Sequence, residues 1–145
     1  MLVASVGPVS PYRSGQFYHR ELPPLMAVLE RVRDPLDVVI VDGYVWLAGA
    51  KPGLGARLRV SVGEHSAVVG VAKTEWKGGA PVDEGASDER RAIPVRRGTS
   101  ARPLFVTAAG IDVGLAAKLV AQMHGEHRIP TLLKRVDTLV RGRGD

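Results

Sequence analysis

The sequence predicts an α/β domain in which a sheet is flanked by helices, and three stretches of the chain carry that prediction. Residues 37–41 and 67–72 are rich in β-branched side chains, which is typical of strands that are buried on both faces. Residues 53–60, between them, have a helical pattern with small residues for close packing. Because a strand–helix–strand unit usually pairs its strands in parallel, these two strands are predicted to be parallel neighbours.

The N-terminal part is predicted to contribute a strand, a loop and a helix. Residues 2–6 can form a short strand, and a stretch rich in turn formers follows it. Apolar side chains recur at helical spacing over residues 23–32. Pro23 and Pro24 are compatible with this helix only in its first turn, because a proline has no backbone N–H to donate.

The C-terminal half is predicted to contain a hairpin and two helices. These elements are a hairpin of residues 92–96 with 104–107, a helix at 112–124 and a last helix at 129–140. The first of the two helices has Asp112 as an N-cap and Gly125 as a stop. Residues 77–89 have the polar composition of a surface loop rather than a linker, so the chain is predicted to be one domain over 1–145.

The charge of the chain permits a nucleic-acid partner without establishing one. The 145 residues have a formal net charge of +5, and the basic residues are clustered. The clusters contain Arg90, Arg91, Arg96, Arg97, Arg128, Lys134, Arg135, Arg141 and Arg143. Such clusters are compatible with phosphate binding, but a solvated basic face without a ligand is also common.

Several function classes are excluded by what the sequence lacks. It has no cysteine, which rules out thiolate chemistry, cysteine-type zinc sites and disulfides. It has no apolar run close to the roughly 18 to 20 residues that a membrane-spanning helix needs. The first residues also lack the basic start of a signal peptide. We therefore expect a cytoplasmic protein with no membrane partner.

Two side chains at predicted strand ends are candidates for chemistry. Asp42 follows the first buried strand, where α/β sheets place their sites, and an Asp-Gly turn is the alternative role for it. Lys73 follows the second strand, where its ammonium can neutralise a phosphate or remain a solvated strand-end lysine. Because both belong to one strand–helix–strand unit, they are expected at the same edge of the sheet.

Glu21 is a second candidate carboxylate. It stands just before an apolar helix, where an acid can simply favour the helix dipole. If Glu21 and Asp42 converge, their oxygens can hold Mg²⁺, which prefers carboxylates and can activate water at a phosphodiester.

Four short motifs occur in a specific order along the chain. They are RELP at 20–23, VDG at 41–43, GLGA at 53–56 and GVAK at 70–73. With the longer segments around them, they resemble the endonuclease V family over nearly the whole chain. The resemblance implies an RNase H-like mixed sheet flanked by helices, with the first two strands of the family missing.

By this resemblance, Glu21 and Asp42 are catalytic metal ligands, Lys73 lies near the scissile phosphate, and the cofactor is Mg²⁺ or Mn²⁺. Asp112 is the substitute for a histidine that the family has near its last helix, and a plain N-cap is its alternative role. The residues expected to contact nucleic acid are Tyr12 of the strand-separating wedge, Gly15, Gly43, Arg96 and Arg97.

The implied function is hydrolysis of a phosphodiester bond near deoxyinosine in DNA, or inosine in RNA, as a step of DNA repair. A nucleic-acid-binding remnant of the same fold, which has lost metal-dependent cleavage, is the first alternative. The second is a protein-interaction module that uses an exposed sheet edge and therefore forms oligomers.

Overall fold

The computed structural model describes residues 17–47, 51–63, 65–75 and 88–142, and within these the side chains of residues 22–47, 51–63, 65–75 and 89–141. The elements are α1 (Phe17–Leu29), β1 (Val38–Asp42), α2 (Leu54–Val62), β2 (Ala67–Ala72), a 3-10 turn (Asp88–Arg90), β3 (Ile93–Val95), β4 (Leu104–Ala109), α3 (Val113–Gln122) and α4 (Thr131–Gly142). The strand predicted at 2–6 and most of the loop predicted at 77–89 lie outside the described residues. None of the described helices is long and apolar enough to cross a membrane.

The four described strands form one mixed sheet in the order β1-β2-β4-β3. β1 and β2 are parallel, with Val38 beside Ala67 and Asp42 beside Val71. β4 runs antiparallel to β2 and to β3. The prediction of a mixed sheet flanked by helices is therefore confirmed, as are the parallel pair and the C-terminal hairpin.

Two groups of buried side chains fill the space on the two faces of the sheet. One group lies between the sheet and α3 and includes Val69 and Val106. The other lies beneath α1 and α2 and includes Val41, Leu58 and Val68. Because Val68 and Val69 are consecutive and belong to different groups, β2 is buried on both faces, as its β-branched sequence predicted.

Helix α1 differs from the prediction at both ends. It begins at Phe17 and ends at Leu29, so Pro23 and Pro24 lie inside the helix rather than in its first turn. The apolar residues of α1 that pack on the second core group are Leu22, Leu25, Met26 and Leu29. Packing of this face stabilises the helix, even though each proline removes a backbone donor.

The two C-terminal helices agree more closely with their local signals. The Asp112 carboxylate accepts a hydrogen bond of 2.9 Å from the Leu115 amide, so the predicted N-cap is confirmed. Gly125, three residues beyond the end of α3, has a φ of 120°, which favours glycine over other residues. Helix α4 is displaced by two residues from the predicted range of 129–140.

The segment after β1 crosses over β2 and is attached to β4. The Gly43 amide donates to the Val71 carbonyl (3.1 Å), and the Val45 amide donates to the Thr107 hydroxyl (2.8 Å). A Cβ atom added at Gly70 would lie 2.8 Å from Thr107 Oγ1 and 2.9 Å from Val45 N, so this crossing requires glycine at position 70. The crossing fixes the chain immediately after Asp42.

Candidate active site

The carboxyl edge of the parallel pair brings Asp42 and Lys73 together. The Lys73 ammonium lies 3.4 Å from Asp42 Oδ2, at the ends of β1 and β2. The Asp42 side chain is 64% exposed, so its carboxylate is accessible to a ligand. The expectation that both residues lie at one edge of the sheet is confirmed.

A second carboxylate, which the sequence analysis did not single out, reaches the same ammonium. Asp137 of α4 has its Oδ1 3.5 Å from Lys73 Nζ, and this side chain is only 17% exposed. The same oxygen also lies 3.3 Å from Nε of Arg141. We call Asp42, Lys73 and Asp137 the acid–lysine cluster. The sequence signal for it was the spacing of Asp137 four residues after Leu133, which places the acid on the same face of the predicted helix as an apolar side chain.

Arg128 holds the backbone of Lys73. Its Nη2 donates to the Lys73 carbonyl and, over 3.0 Å, to the Pro103 carbonyl, while Nε donates to the Arg102 carbonyl over 3.0 Å. Burial lowers the pKa of the Arg128 guanidinium, and the positive charge of Arg102 lowers it further. The guanidinium stays charged because the ordinary pKa of arginine is far above neutral. Arg128 therefore fixes the backbone of Lys73, while two longer ion pairs hold its ammonium more loosely.

The sequence profile described as endonuclease V matches residues 3–138 of this chain. The chain belongs to the endonuclease V family. Endonuclease V of Streptomyces avermitilis is 29% identical to it over 94% of this chain and 64% of the relative. Endonuclease V of Streptomyces coelicolor is 30% identical over 94% of this chain and 63% of the relative. The chain thus spans somewhat less than two thirds of the length of these curated relatives.

Solved structures of the family have the same fold. The Streptomyces avermitilis endonuclease V structure matches 92% of this chain and 62% of its own, with a TM-score of 0.72 and 27% identity. The Ciona intestinalis endonuclease V, in complex with a 24mer DNA containing an inosine followed by a ribo-adenosine, has a TM-score of 0.76 at 22% identity. That match covers 94% of this chain and 69% of the Ciona chain.

Three residues that the endonuclease V resemblance implicates have side chains or positions outside the described part of the chain. Tyr12 and Gly15 lie outside the described residues. Glu21 belongs to α1, but its side chain is outside the described part of the chain, so its role as a ligand stays a prediction. Gly43, in contrast, follows Asp42 directly with a φ of 142°. A Cβ atom added to Gly43 would meet nothing within 4 Å, so there is open space beside Asp42.

Asp112 is not brought to the acid–lysine cluster. Because β4 is antiparallel to β2, its last residue, Ala109, pairs with Val68 near the start of β2. A Cβ atom added at Gly110 would lie 3.2 Å from Ala67, which confirms this position. Asp112 therefore lies beyond the opposite edge of the sheet and acts as the N-cap of α3. Its position does not support the expected role of metal ligand.

The two neighbouring arginines expected to contact nucleic acid have different environments. Arg96 is exposed, whereas Arg97 is only 5% exposed. The Arg97 Nη2 donates to the carbonyls of Met123 (2.6 Å) and Gly125 (2.9 Å), just beyond α3, and burial lowers the pKa of the guanidinium. The Arg97 Nη1 is buried and has no hydrogen-bond partner among the described side chains. In this conformation the Arg97 guanidinium faces the interior of the fold rather than a phosphate in solution, whereas Arg96 is exposed, and the contact of Arg96 with nucleic acid stays a prediction.

The oxygen donors of the acid–lysine cluster fit a hard divalent ion. Asp42 and Asp137 flank one cationic group, the Lys73 ammonium, at 3.4 and 3.5 Å. Mg²⁺ is commonly held by one or two carboxylates, with water and substrate phosphates completing its shell. Among the described side chains, no group of three or more acidic, histidine or cysteine residues is arranged to hold an ion. The described donors therefore fit an ion with two protein carboxylates.

Proposed function

We propose that this chain carries the active site of a metal-dependent endonuclease that hydrolyses phosphodiester bonds near deoxyinosine or other deaminated bases in DNA, or near inosine in RNA. The observation that carries the proposal is the convergence of Asp42, Lys73 and Asp137 at the carboxyl edge of β1 and β2. Membership of the endonuclease V family supports the reaction class. The inosine-containing DNA bound by the Ciona relative supports the type of substrate.

The two carboxylates have the role of holding Mg²⁺ or Mn²⁺ in this proposal. Asp42 presents an exposed carboxylate, and Asp137 presents a largely buried one on a separate element. Both carboxylates now lie beside the Lys73 ammonium, and Asp137 also pairs with Arg141, so a divalent ion would replace these cations as the partner of the carboxylate oxygens. When bound, such an ion activates a water molecule and stabilises the charge that develops on the phosphate oxygens.

Lys73 has two roles in the proposal. Its ammonium balances the two carboxylates, which reduces their mutual repulsion when no ion is bound. Its distances of 3.4 and 3.5 Å are longer than the roughly 2.7 to 2.9 Å of a tight charge-assisted hydrogen bond. The ammonium can therefore turn towards a phosphate at modest cost and stabilise the charge on a non-bridging or leaving oxygen.

The basic surface supplies the sequence-independent part of binding. The net charge of +5 favours a polyanion, and Arg96 is an exposed cation on the described surface. Contacts of this kind release counterions from the nucleic acid. We expect binding to DNA or RNA to weaken steeply as the salt concentration rises.

The test is cleavage of a labelled oligonucleotide that contains one deoxyinosine, with Mg²⁺ or with EDTA, followed by the same test on RNA containing inosine. The unmodified chain is compared with Asp42→Asn and with the matched control Asp112→Asn, whose acid lies at the opposite edge of the sheet. We expect Mg²⁺-dependent nicking near the inosine that falls on the order of 100-fold in Asp42→Asn. The control should keep its rate, because asparagine caps a helix about as well as aspartate.

Salt-sensitive binding without any Mg²⁺-dependent nicking would contradict the proposal and favour a nucleic-acid-binding remnant. One observation favours such a remnant, since only two candidate carboxylates converge among the described side chains. Mn²⁺ titration followed by paramagnetic resonance distinguishes the two functions without relying on cleavage. A nuclease site should lose Mn²⁺ affinity in Asp42→Asn, whereas a remnant should bind the ion no better than its variants do.

The outer side of β1, along which no other described strand pairs, favours a third function, interaction with another protein chain. Among the described strands β1 pairs on one side only, and Val38 and Ile40 are 41% and 38% exposed. Unpaired edges of this kind can accept a further strand. A purified chain that is oligomeric by light scattering, with negligible affinity for oligonucleotides, would favour this function over the nuclease.

A further inference from the structure

Arg141 adds a second cation to the acid–lysine cluster. It follows Asp137 by one turn of α4, and its Nε lies 3.3 Å from Asp137 Oδ1, the oxygen that also lies 3.5 Å from Lys73 Nζ. The side chain of Arg141 is 76% exposed, whereas those of Asp137 and Lys73 are 17% and 31% exposed. Arg141 therefore lies on the solvent side of the cluster, from which a ligand arrives.

Most of the Arg141 guanidinium is available to a further acceptor. A guanidinium has several N–H donors in one plane, and a single carboxylate oxygen that is shared with Lys73 does not occupy all of them. Among the described residues, Asp137 is the only partner of Arg141. The remaining donors have the geometry that suits the oxygens of a phosphate.

The charge of the cluster explains why a polyanion needs a cation at this position. Asp42 and Asp137 contribute two negative charges and Lys73 contributes one positive charge, so these three side chains have a net charge of −1. With Arg141, the four side chains are neutral. Two carboxylates repel an approaching phosphate, and an exposed guanidinium beside them reduces that repulsion.

We propose that Arg141 binds a backbone phosphate of the nucleic acid next to the phosphodiester at the acid–lysine cluster. This inference rests on the proposed function, because it requires a nucleic-acid strand at the cluster. A phosphate contact fixes the position of the strand and does not read its bases. The contact therefore aligns the backbone with the two carboxylates whatever the neighbouring sequence is.

A structural pair with Asp137 is the competing role for Arg141. Exposed pairs with this spacing usually stabilise a helix only slightly, but such a pair can also hold the Asp137 carboxylate in place. If Arg141 holds Asp137, Arg141→Gln should weaken the binding of Mn²⁺, measured by paramagnetic resonance without nucleic acid. The phosphate contact predicts that Mn²⁺ affinity does not fall, because the substitution removes a cation that competes for the Asp137 oxygen.

The experiment measures binding in EDTA of a fluorescent single-stranded oligonucleotide with one deoxyinosine. We expect Arg141→Gln to weaken binding roughly 2- to 5-fold, which is the effect of losing one exposed charge pair. The slope of log K against log salt should fall in magnitude by about 0.7, the contribution of one phosphate of a single strand. Arg141→Lys keeps the charge and should keep this salt slope.

Arg135→Gln is the matched control. It removes the same charge from an exposed position of α4 two residues before Asp137, and residues at this spacing do not share a helix face. The control should bind within about 2-fold of the unmodified chain and keep its salt slope.

A set of modified probes identifies the phosphate. In each probe one linkage near the deoxyinosine is a methylphosphonate, which carries no negative charge. At one linkage, the modification should weaken binding by the unmodified chain and by Arg135→Gln but have no further effect on Arg141→Gln. Such non-additivity is expected of two groups in contact, and a helix pair that does not touch the strand cannot produce it.

Several results would overturn the inference. Additive effects at every linkage would do so, as would an equal loss of binding in Arg135→Gln or a loss of Mn²⁺ affinity in Arg141→Gln. If the unmodified chain nicks the deoxyinosine substrate and no linkage is coupled to Arg141, only the phosphate contact is refuted. If the unmodified chain neither binds nor nicks the oligonucleotide, the proposed function fails and the contact fails with it.

Discussion

Each end of the sheet has a carboxylate at or just after the carboxyl end of a strand, yet only one end assembles a site. At the carboxyl edge of β1 and β2, Asp42 and Asp137 approach Lys73. At the opposite edge, Asp112 follows β4 and caps α3. The difference is the direction of the strand, because β4 runs antiparallel to β2. A carboxylate after a strand is therefore a strong site candidate only where the neighbouring strands end at the same edge.

The largest difference between the two edges is expected for a pair of carboxylate substitutions. In Asp137→Asn we expect the initial rate of Mg²⁺-dependent nicking to fall on the order of 100-fold, because the amide no longer supplies the charge that attracts an ion. In Asp112→Asn we expect the rate to stay within about 2-fold, since the N-cap is preserved. Equal rates in the two variants would remove the distinction between the edges.

Substitution of the two neighbouring arginines is expected to affect different properties, protein stability for Arg97 and nucleic-acid binding for Arg96. Arg97→Gln removes charged hydrogen bonds to Met123 and Gly125, so the free energy of unfolding in urea should fall by about 2 kcal/mol. Arg96→Gln, at an exposed position, should change this free energy by less than about 0.5 kcal/mol. If Arg96 contacts a phosphate, its loss should reduce the salt slope of nucleic-acid binding by about 1.

The opposite pattern would reverse the assignment of these two arginines. A smaller salt slope in Arg97→Gln with unchanged stability would show that its guanidinium reaches the ligand. Unchanged binding in Arg96→Gln at every salt concentration would show that the exposed arginine is only a solvated surface cation.

Arg128→Gln tests whether the carboxyl edge needs an exact position of Lys73. Loss of the guanidinium frees the Lys73 carbonyl, and we expect nicking to slow on the order of 10-fold while the KM changes little. Added methylguanidinium should restore part of the rate if the missing group is what positions the lysine. Arg128 would not have this positioning role if the nicking rate of Arg128→Gln fell only in parallel with its melting temperature and methylguanidinium did not restore it.

The smallest effect is expected at the opposite edge of the sheet. Asp112→Ala removes the side-chain acceptor of the Leu115 amide, so the protein should lose about 1 kcal/mol of unfolding free energy. Nicking, measured well below the melting temperature, should not change. A loss of Mn²⁺ affinity in this variant would instead give Asp112 the ligand role that its position does not support.

The sequence by itself determined the elements whose signals are local. Strands β1 and β2 follow from their β-branched runs, but only β2 is buried on both faces as such a run predicts, whereas Val38 and Ile40 of β1 are 41% and 38% exposed. The N-cap at Asp112 follows from a side chain that bonds to an amide three residues away. The proximity of Asp42 and Lys73 could also be predicted from the sequence, because a strand–helix–strand unit places the ends of both strands at the same end of the sheet. The family could be recognised as well, from four short motifs in order.

Only the tertiary structure decided which other residues join that edge. Asp137 and Arg128 reach Lys73 from 64 and 55 positions away in the sequence, and no local pattern specifies such contacts. The same reason explains the position of Asp112, since the direction of β4 is set by pairing and not by its composition. It also explains α1, where packing of one apolar face permits two prolines inside a helix. Local preferences act over a few residues, whereas a site is assembled by packing between distant elements.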